Sequence, residues 1–419
     1  MKTTIAFLLP ALILTVPAFG SGFQVLLQGN RQTGAGNIGV SIFPDASCIF
    51  FNPGGAGFMS GSGITAGGNL IFAGNTFYAS ETPGSAYIAH TDNPVGTPFH
   101  LYGVWGPSEA KWKAGIGIYT PYGSGVDWGD EWMGQLTLRR ISLQSIFIQP
   151  TLAYRIADWL SVGAGFVFAV GKVDLERGIF ISPDAQVALN GNAVGTGFNV
   201  GAMIRHSRLS VGINYRSKTL MSVEGGDAEF TVPSFLRPSF PEGNAFDAEL
   251  PLPANLSVGA TYELTEKLSL SAEANWVGWS AYKSLDFDFR ENTALLQDAS
   301  SPRNYKNSWV YKIGAEVRAA ERLWLRAGVY YDLTPVKKGY MTPETPDANR
   351  LGLTAGVGYR ISDQLTLDVS FLYIDGIERT QTLQDAQDAG TIAPGRQDVL
   401  PGTYELNALI PGVSVSYHF

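Results

Sequence analysis

The chain has 419 residues, among them 49 glycines and 18 tyrosines, and its 37 acidic residues outnumber 29 basic ones for a net charge of −8. That balance argues against nucleic acid as a partner, and the single cysteine, Cys48, excludes an intrachain disulfide. Beyond the N-terminal leader no stretch approaches 18 consecutive apolar residues, so no transmembrane helix is expected.

Residues 1–20 read as a secretory signal peptide. Lys2 supplies the positive start, Ile5 to Val16 the apolar core broken only by Pro10, and Ala18-Phe19-Gly20 a cleavage site. The remaining residues show no linker or composition shift that would divide them into separate soluble domains. Residues 21–60 carry neither a period of two nor one of 3.6. Glycine interrupts any regular element there, yet Ile42, Phe43, Cys48, Ile49, Phe50 and Phe51 are too apolar for a solvated tail. Such a segment needs an enclosure that pairs its backbone and covers its side chains. It is predicted to be a hatch, or plug, with Cys48 a small buried hydrophobe.

From residue 61 to 419 the pattern becomes period two. Leu160-Ser-Val-Gly163, Leu209-Ser-Val-Gly212 and Leu256-Ser-Val-Gly259 each place apolar side chains on one face and Ser or Gly on the other. Alternation alone suits a soluble sandwich as well as a membrane barrel. Connection lengths separate the two. Short links at 106–111, 155–159, 206–208, 264–267, 319–322 and 361–364 alternate with longer polar ones near 74–96, 123–138, 177–195, 218–250, 283–306, 334–349 and 375–402. Strict alternation implies about fourteen antiparallel strands with short turns at the periplasmic end and long loops outside. Tyr154, Tyr215, Tyr262 and Tyr359 fall on the outward parity beside short turns, as an interfacial aromatic girdle would. The last residues, Val413-Ser-Val-Ser-Tyr417-His-Phe419, alternate towards a terminal aromatic, as in the C-terminal signal of outer-membrane barrels. The expected class is therefore all-β, a transmembrane antiparallel barrel at 61–419 plugged by 21–60, and the expected location is a bacterial outer membrane.

The third strand carries Pro121 followed by Gly123. Proline donates nothing to a ladder, so it marks either a kink in the wall or the start of the next loop. Further on, parity turns Lys312, Glu316 and Arg318 inward, then Trp324, Arg326, Tyr330 and Asp332, then Arg350. Lys312, Arg326 and Arg350 are candidates to hold a ligand's carboxylate. Alternatively they pair with Glu316, Asp332 and Asp347 across a polar lumen. Phe50, Phe51 and Trp105, with Trp112 and Phe58, are candidate apolar contacts that plug and wall packing would also claim. No catalytic residue is assigned. Of the four histidines, His206 lies in a turn and His418 is penultimate. His90 falls in a long loop, and His100 faces inward without an evident partner. No metal-ligand spacing or phosphate-cradling loop is present, so neither metal nor cofactor is expected.

These motifs together resemble the FadL/TodX family of outer-membrane transporters for long-chain fatty acids and other hydrophobic compounds. Ser21-Gly22-Phe23-Gln24 is similar to that family's mature start. Asn52-Pro53-Gly54 resembles its hatch motif Asn-Pro-Ala, with Gly54 a departure. Trp309-Val-Tyr-Lys312-Ile-Gly314, Leu325-Arg326-Ala-Gly328 through Pro335, and Pro346-Asp347-Ala-Asn-Arg350 are similar to family signatures. The resemblance implies a fourteen-stranded plugged barrel with an inward kink in its third strand, here at Pro121 and Gly123. It implies a ligand held inside the barrel that leaves sideways through the kinked wall, without an energy source. The expected function is thus passive outer-membrane transport by a monomer in outer-membrane lipid, with long-chain fatty acids as ligands. Aromatic or alkane hydrocarbons are the alternative ligands. A general diffusion porin and, more distantly, a barrel hydrolase are the alternative functions. The stretches 123–138 and 177–195 are short for the helical loops the family often carries.

Overall fold

The computed structural model describes residues 22–79, 87–179, 185–393 and 396–419; the signal peptide expected at 1–20, and Ser21, lie outside the described residues. Period-two alternation resolves into fourteen barrel strands, several in two pieces. They are β1 (Gly63–Asn69 and Phe72–Tyr78), β2 (Ile88–His90 and Phe99–Trp105), β3 (Trp112–Tyr119 and Gly123–Asp127), β4 (Arg140–Ala157), β5 (Leu160–Gly178), β6 (Gln186–His206) and β7 (Leu209–Arg216 and Thr219–Thr231). The second half comprises β8 (Asn244–Leu252 and Asn255–Glu263), β9 (Leu268–Val277 and Ser284–Phe289), β10 (Ala299–Pro302 and Ser308–Ala320), β11 (Leu323–Asp332), β12 (Arg350–Arg360), β13 (Leu365–Gln381) and β14 (Gly402–His418). Every neighbouring pair is antiparallel, and β1 closes the cylinder on β14 from Gly63↔His418 to Asn69↔Gly412. Closure leaves no edge of unpaired backbone for the lipid to meet.

The wall puts its large apolar side chains outside. On β5, Val162, Phe166 and Phe168 are exposed while Ser161, Val167 and Ala169 are buried. Tyr154, Tyr262 and Tyr359 stand on the outer face beside the short turns, as the girdle reading requires; Tyr215 is also on the outer face but away from the turn, paired with Val200 and Leu256. The short links fall where connection length placed them. Most of the long ones are shorter than expected, because the strands continue well past the apolar belt. Only 128–139, 232–243 and 290–298 separate β3 from β4, β7 from β8 and β9 from β10. Outside the membrane both faces of a strand meet water, so the apolar alternation fades and polar strand reads as loop. The β13–β14 connection holds a short helix, Leu383–Asp388, whose N-cap Thr382 forms a capping box with Asp385.

Residues 22–59 are mostly buried against the barrel strands. Their polar atoms meet strands on opposite sides of the wall: Gly36 donates to Thr354 Oγ1 of β12 at 2.9 Å, Asn52 to the Ala202 carbonyl of β6 at 2.9 Å, and Ser370 of β13 donates to Asn30 at 2.6 Å. Two short α-helices, Asn30–Gly34 and Cys48–Phe51, and a 3-10 turn, Pro53–Phe58, are the regular structure of this segment. Cys48 is fully buried, its Sγ 3.6 Å from Met59 Sδ.

The three Leu-Ser-Val-Gly repeats acquire a structural reason here. Each glycine faces inward where the N-terminal segment presses against the wall. A Cβ at Gly163 would stand 2.5 Å from the Pro53 backbone, one at Gly259 2.7 Å from Val40, and one at Gly212 would overlap the Val40 carbonyl. The repeat therefore pairs a lipid-facing apolar parity with the close backbone approach that only glycine permits.

Candidate functional site

The wall changes character at β3. Its two pieces pair with β4 in registers that differ by one residue, Tyr119↔Phe147 before the break and Gly123↔Gln144 after it. Thr120, Pro121 and Tyr122 thus face only two residues of β4, which is a β-bulge. The N-terminal segment uses the freed backbone: Val25 donates to the Pro121 carbonyl at 2.9 Å, and Gly123 donates to the Phe23 carbonyl at 3.2 Å. On the other side β2 is equally irregular, with Pro94 and Pro98 supplying no N–H. Phe99 and Thr120 still exchange hydrogen bonds at 3.1 and 3.2 Å, and Asp92 donates to the Asp127 carbonyl at 2.9 Å. Between those ties, among the described residues, no backbone hydrogen bond joins 94–98 to 121–126.

A cavity of about 470 Å³ occupies this place. Its inner lining includes Tyr330, Arg350, Leu372 and Ile410, its floor Phe23 to Leu27, and its outer lining Val95 and Phe99. The last two are exposed on the outside of the wall. The cavity therefore runs from the lumen to the lipid face. A second, smaller cavity of about 90 Å³ adjoins it, lined by Phe23, Leu143, Val223, Leu252 and Phe287. Phe23, Tyr122, Glu344 and Thr345 line both. The long β11–β12 connection that carries Glu344 is held by Trp128 Nε1, which donates to the Pro343 carbonyl at 3.1 Å, and by Gln381, which bonds Met341 in both directions.

The three lumen cations expected to hold a carboxylate all face inward, Lys312 and Arg326 buried and Arg350 half-buried, but they do not converge. Lys312 pairs with Glu273 of β9 at 2.8 Å and donates to the Asn37 carbonyl at 2.7 Å. The same Glu273 accepts from Gly39 and Val40 at 2.9 Å each, so this pair holds the N-terminal segment. Arg326 lies between Glu316 at 2.5 Å and Asp368 at 2.6 Å, with Arg31 joining Glu316 at 2.7 Å. Arg350 alone of the three lines the large cavity; it pairs with Asp347 at 2.5 Å and donates to the Gly22 carbonyl at 3.2 Å. Its buried Nε has no partner among the described residues. The pairing alternative thus holds with its partners rearranged, since Glu273 and Asp368 come from strands the alternation did not tie to these cations.

Phe50 and Phe51 pack edge-to-face within the lumen at 4.9 Å, and neither lines either cavity. Phe50 is held by Tyr119 at 4.9 Å and by Arg216, whose guanidinium lies 4.6 Å from its ring and donates to its carbonyl at 3.0 Å. Trp105 is a correction: it stands on the outer face, 42% exposed, with its ring over Gly103. Parity places Phe99, Leu101 and Trp105 together outside, so Trp105 does not touch a lumenal ligand. His100 is inward and buried against Tyr102, without a hydrogen-bond partner at either ring nitrogen among the described residues.

Asn52 is fully buried and satisfied: it donates to the Val40 and Ala202 carbonyls at 2.8 and 2.9 Å and accepts from Gly54 at 3.0 Å. A Cβ at Gly54 would meet the Ser161 and Gly201 carbonyls at 3.0 Å, which accounts for glycine where the family motif has alanine. Asn52→Ala is expected to cost about 2–3 kcal/mol, because it leaves buried carbonyl and amide groups unpaired. Guanidinium unfolding in lipid, with trypsin cleavage after Arg31 as a local reporter, measures it; an unchanged midpoint and an uncut segment would refute the anchoring role.

Sequence reasoning missed Glu273, Asp368, Arg216, Arg303 and Glu344. Glu273 had a usable signal, an acid at inward parity on the adjoining strand, whereas Asp368 lies at inward parity two strands from Arg326, reached across Gly358 of β12. Arg303 and Glu344 had none, since both lie where the alternation has faded.

Residues 11–419 match the profile of a family described as outer membrane protein transport protein (OMPP1/FadL/TodX). A putative outer membrane protein of Neisseria meningitidis is 23% identical, over 89% of this chain and 90% of its own length. A long-chain fatty acid transport protein of Escherichia coli is 21% identical, over 64% of this chain and 68% of its own. Among solved structures, a Pseudomonas aeruginosa FadL homologue superposes with a TM-score of 0.80 at 20% identity, covering 95% of this chain and all of the other. The Ralstonia pickettii toluene transporter TbuX does so with a TM-score of 0.70 at 18% identity, over 93% and 98%.

Proposed function

The chain belongs to the OMPP1/FadL/TodX family of outer-membrane transport proteins for hydrophobic substrates, and from that premise we propose that it carries long-chain fatty acids inward by diffusion, with release sideways into the bilayer between β2 and β3. The observation that carries this reading is the cavity that continues from Arg350 and Tyr330 in the lumen to Val95 and Phe99 on the outside. An apolar body can follow such a path without crossing the polar contacts beneath residues 22–60. Those contacts reach strands on opposite sides of the barrel and support the reading of this segment as a plug. A plugged lumen does not suit a general diffusion porin, so the intact protein is expected to conduct ions poorly in a planar bilayer. Porin-like steady conductance would contradict the plug.

The preference for an acid rests on Arg350, the cation on the wall of a cavity that Asp332 and Glu344 line as well. The relatives leave two substrate classes in play, fatty acids and monoaromatic hydrocarbons. Uptake of labelled oleate by cells with and without the protein, with toluene as competitor, separates them. Protein-dependent oleate entry that toluene barely reduces is the expected result. Protein-dependent toluene entry without oleate entry would discard the acid and keep the path.

A further inference from the structure

The two cavities share one acidic side chain, Glu344. It is carried not by a strand but by the β11–β12 connection, and its carboxylate is ion-paired with Arg303. Both side chains are almost covered, 12% exposed for Glu344 and 4% for Arg303. Arg303 is fixed from behind: its Nη1 donates to Ser301 Oγ at 2.7 Å and its backbone N–H to the Lys283 carbonyl at 2.7 Å. Tyr282 shares a hydrogen bond with Arg303 and packs 5.1 Å from Tyr305. The Tyr305 hydroxyl is buried, faces the same charges, and has no hydrogen-bond partner among the described residues. The pocket thus sets a buried cation and that unpartnered hydroxyl beside a single resident carboxylate.

We propose that Arg303, Tyr282 and Tyr305 form an anion subsite in which Glu344 is the resident carboxylate, displaced when the carboxylate of a long-chain fatty acid arrives. The proposal rests on the transport reading and names the chemistry of its head-group site. Three arguments support it. A buried arginine left without a counter-ion is costly, so Glu344 can leave only when another anion takes its place. Glu344 sits on a connection, so its departure asks for movement of that connection and none of the wall. The surroundings, Phe23, Leu252 and Phe287 among them, suit the chain that follows such a head. Lys312 and Arg326 differ, because their pairs are closed against residues 22–60 and line neither cavity.

Binding of oleate and of oleyl alcohol to the purified protein in lipid nanodiscs tests this, because the two share a chain and differ in head charge. Glu344→Gln removes the resident anion and is expected to tighten oleate about tenfold while moving the alcohol less than about twofold. Arg303→Gln is expected to weaken oleate about tenfold, again sparing the alcohol. Tyr305→Phe, which removes only the unmatched hydroxyl, is expected to weaken oleate by a factor of about three. An oleate affinity untouched by Glu344→Gln and Tyr305→Phe, or shifts equal for acid and alcohol, would overturn the subsite and leave the transport reading standing. Wild-type protein that binds the alcohol and not oleate would do the same. Wild-type protein that binds neither would overturn both.

Discussion

Deleting Pro121 is expected to cut oleate uptake at least about tenfold in a barrel that still folds and inserts. The bulge sets three residues of β3 against two of β4, so removing one restores a single register from Tyr119↔Phe147 through Gly123↔Gln144. A continuous β3 presents a regular ladder to 94–98 of β2, where no backbone hydrogen bond now joins the two among the described residues. The deletion also removes the carbonyl that Val25 donates to, so Phe23 to Leu27 lose their seat on the floor of the cavity. Both effects narrow the same passage. Heat-modifiable migration and trypsin resistance establish that the variant is folded, and labelled oleate uptake gives the result. A folded deletion variant with wild-type uptake would rule out the β2–β3 path.

Glu273→Leu is expected to produce the largest loss of stability, about 3–5 kcal/mol, since it leaves a buried Lys312 ammonium without its counter-charge. The Gly39 and Val40 amides lose their acceptor in the same step. The segment across the lumen should loosen, so ion conductance should rise along with the fall in unfolding midpoint. Adding Lys312→Met removes the stranded charge and is expected to restore more than half of the loss, because replacing both partners of a buried pair costs far less than removing one. Recovery should be incomplete, as the two amides stay unpaired. Equal midpoints for the single and double variants would show that the pair does not hold the segment.

The architecture was legible because membrane strands obey a rule that a single sequence carries. Leu152, Tyr154 and Val162 must meet lipid, and their inward neighbours must not. Lengths of turns then gave the strand count. The rule weakens outside the bilayer, which is why the stretches 177–195 and 218–250 read as loop and proved to be mostly strand. The break in the β3 ladder was legible for a similar reason, since Pro121 has no N–H to offer wherever it sits. Its extra residue, and its pairing with Phe23 and Val25, depend on contacts between distant parts of the chain and left no local mark. Lys312 and Arg326 were correctly turned inward, but parity says nothing of which acid lies within reach on the next strand or, across a glycine, on the one beyond it. Lys312 found Glu273 and Arg326 found Asp368, and both became ties rather than open sites. Trp105 failed by parity itself, because its outward placement was available from the alternation of Phe99, Leu101 and Trp105. Gly163, Gly212 and Gly259 stood out by repetition, yet their purpose needed the segment that lies on them.

The most direct test of sideways release is to map where a photoreactive fatty acid attaches while it is being taken up. A long-chain acid with a diazirine near its tail would be irradiated on cells carrying the protein, and the adducts located by mass spectrometry. Sideways release predicts labelling along Val95, Thr97, Tyr122 and Ser124, which line the cavity between β2 and β3. Adducts confined to Met59, Arg155 and the other residues around the periplasmic turns, with none between β2 and β3, would mean that the ligand passes down through the lumen, and would contradict it.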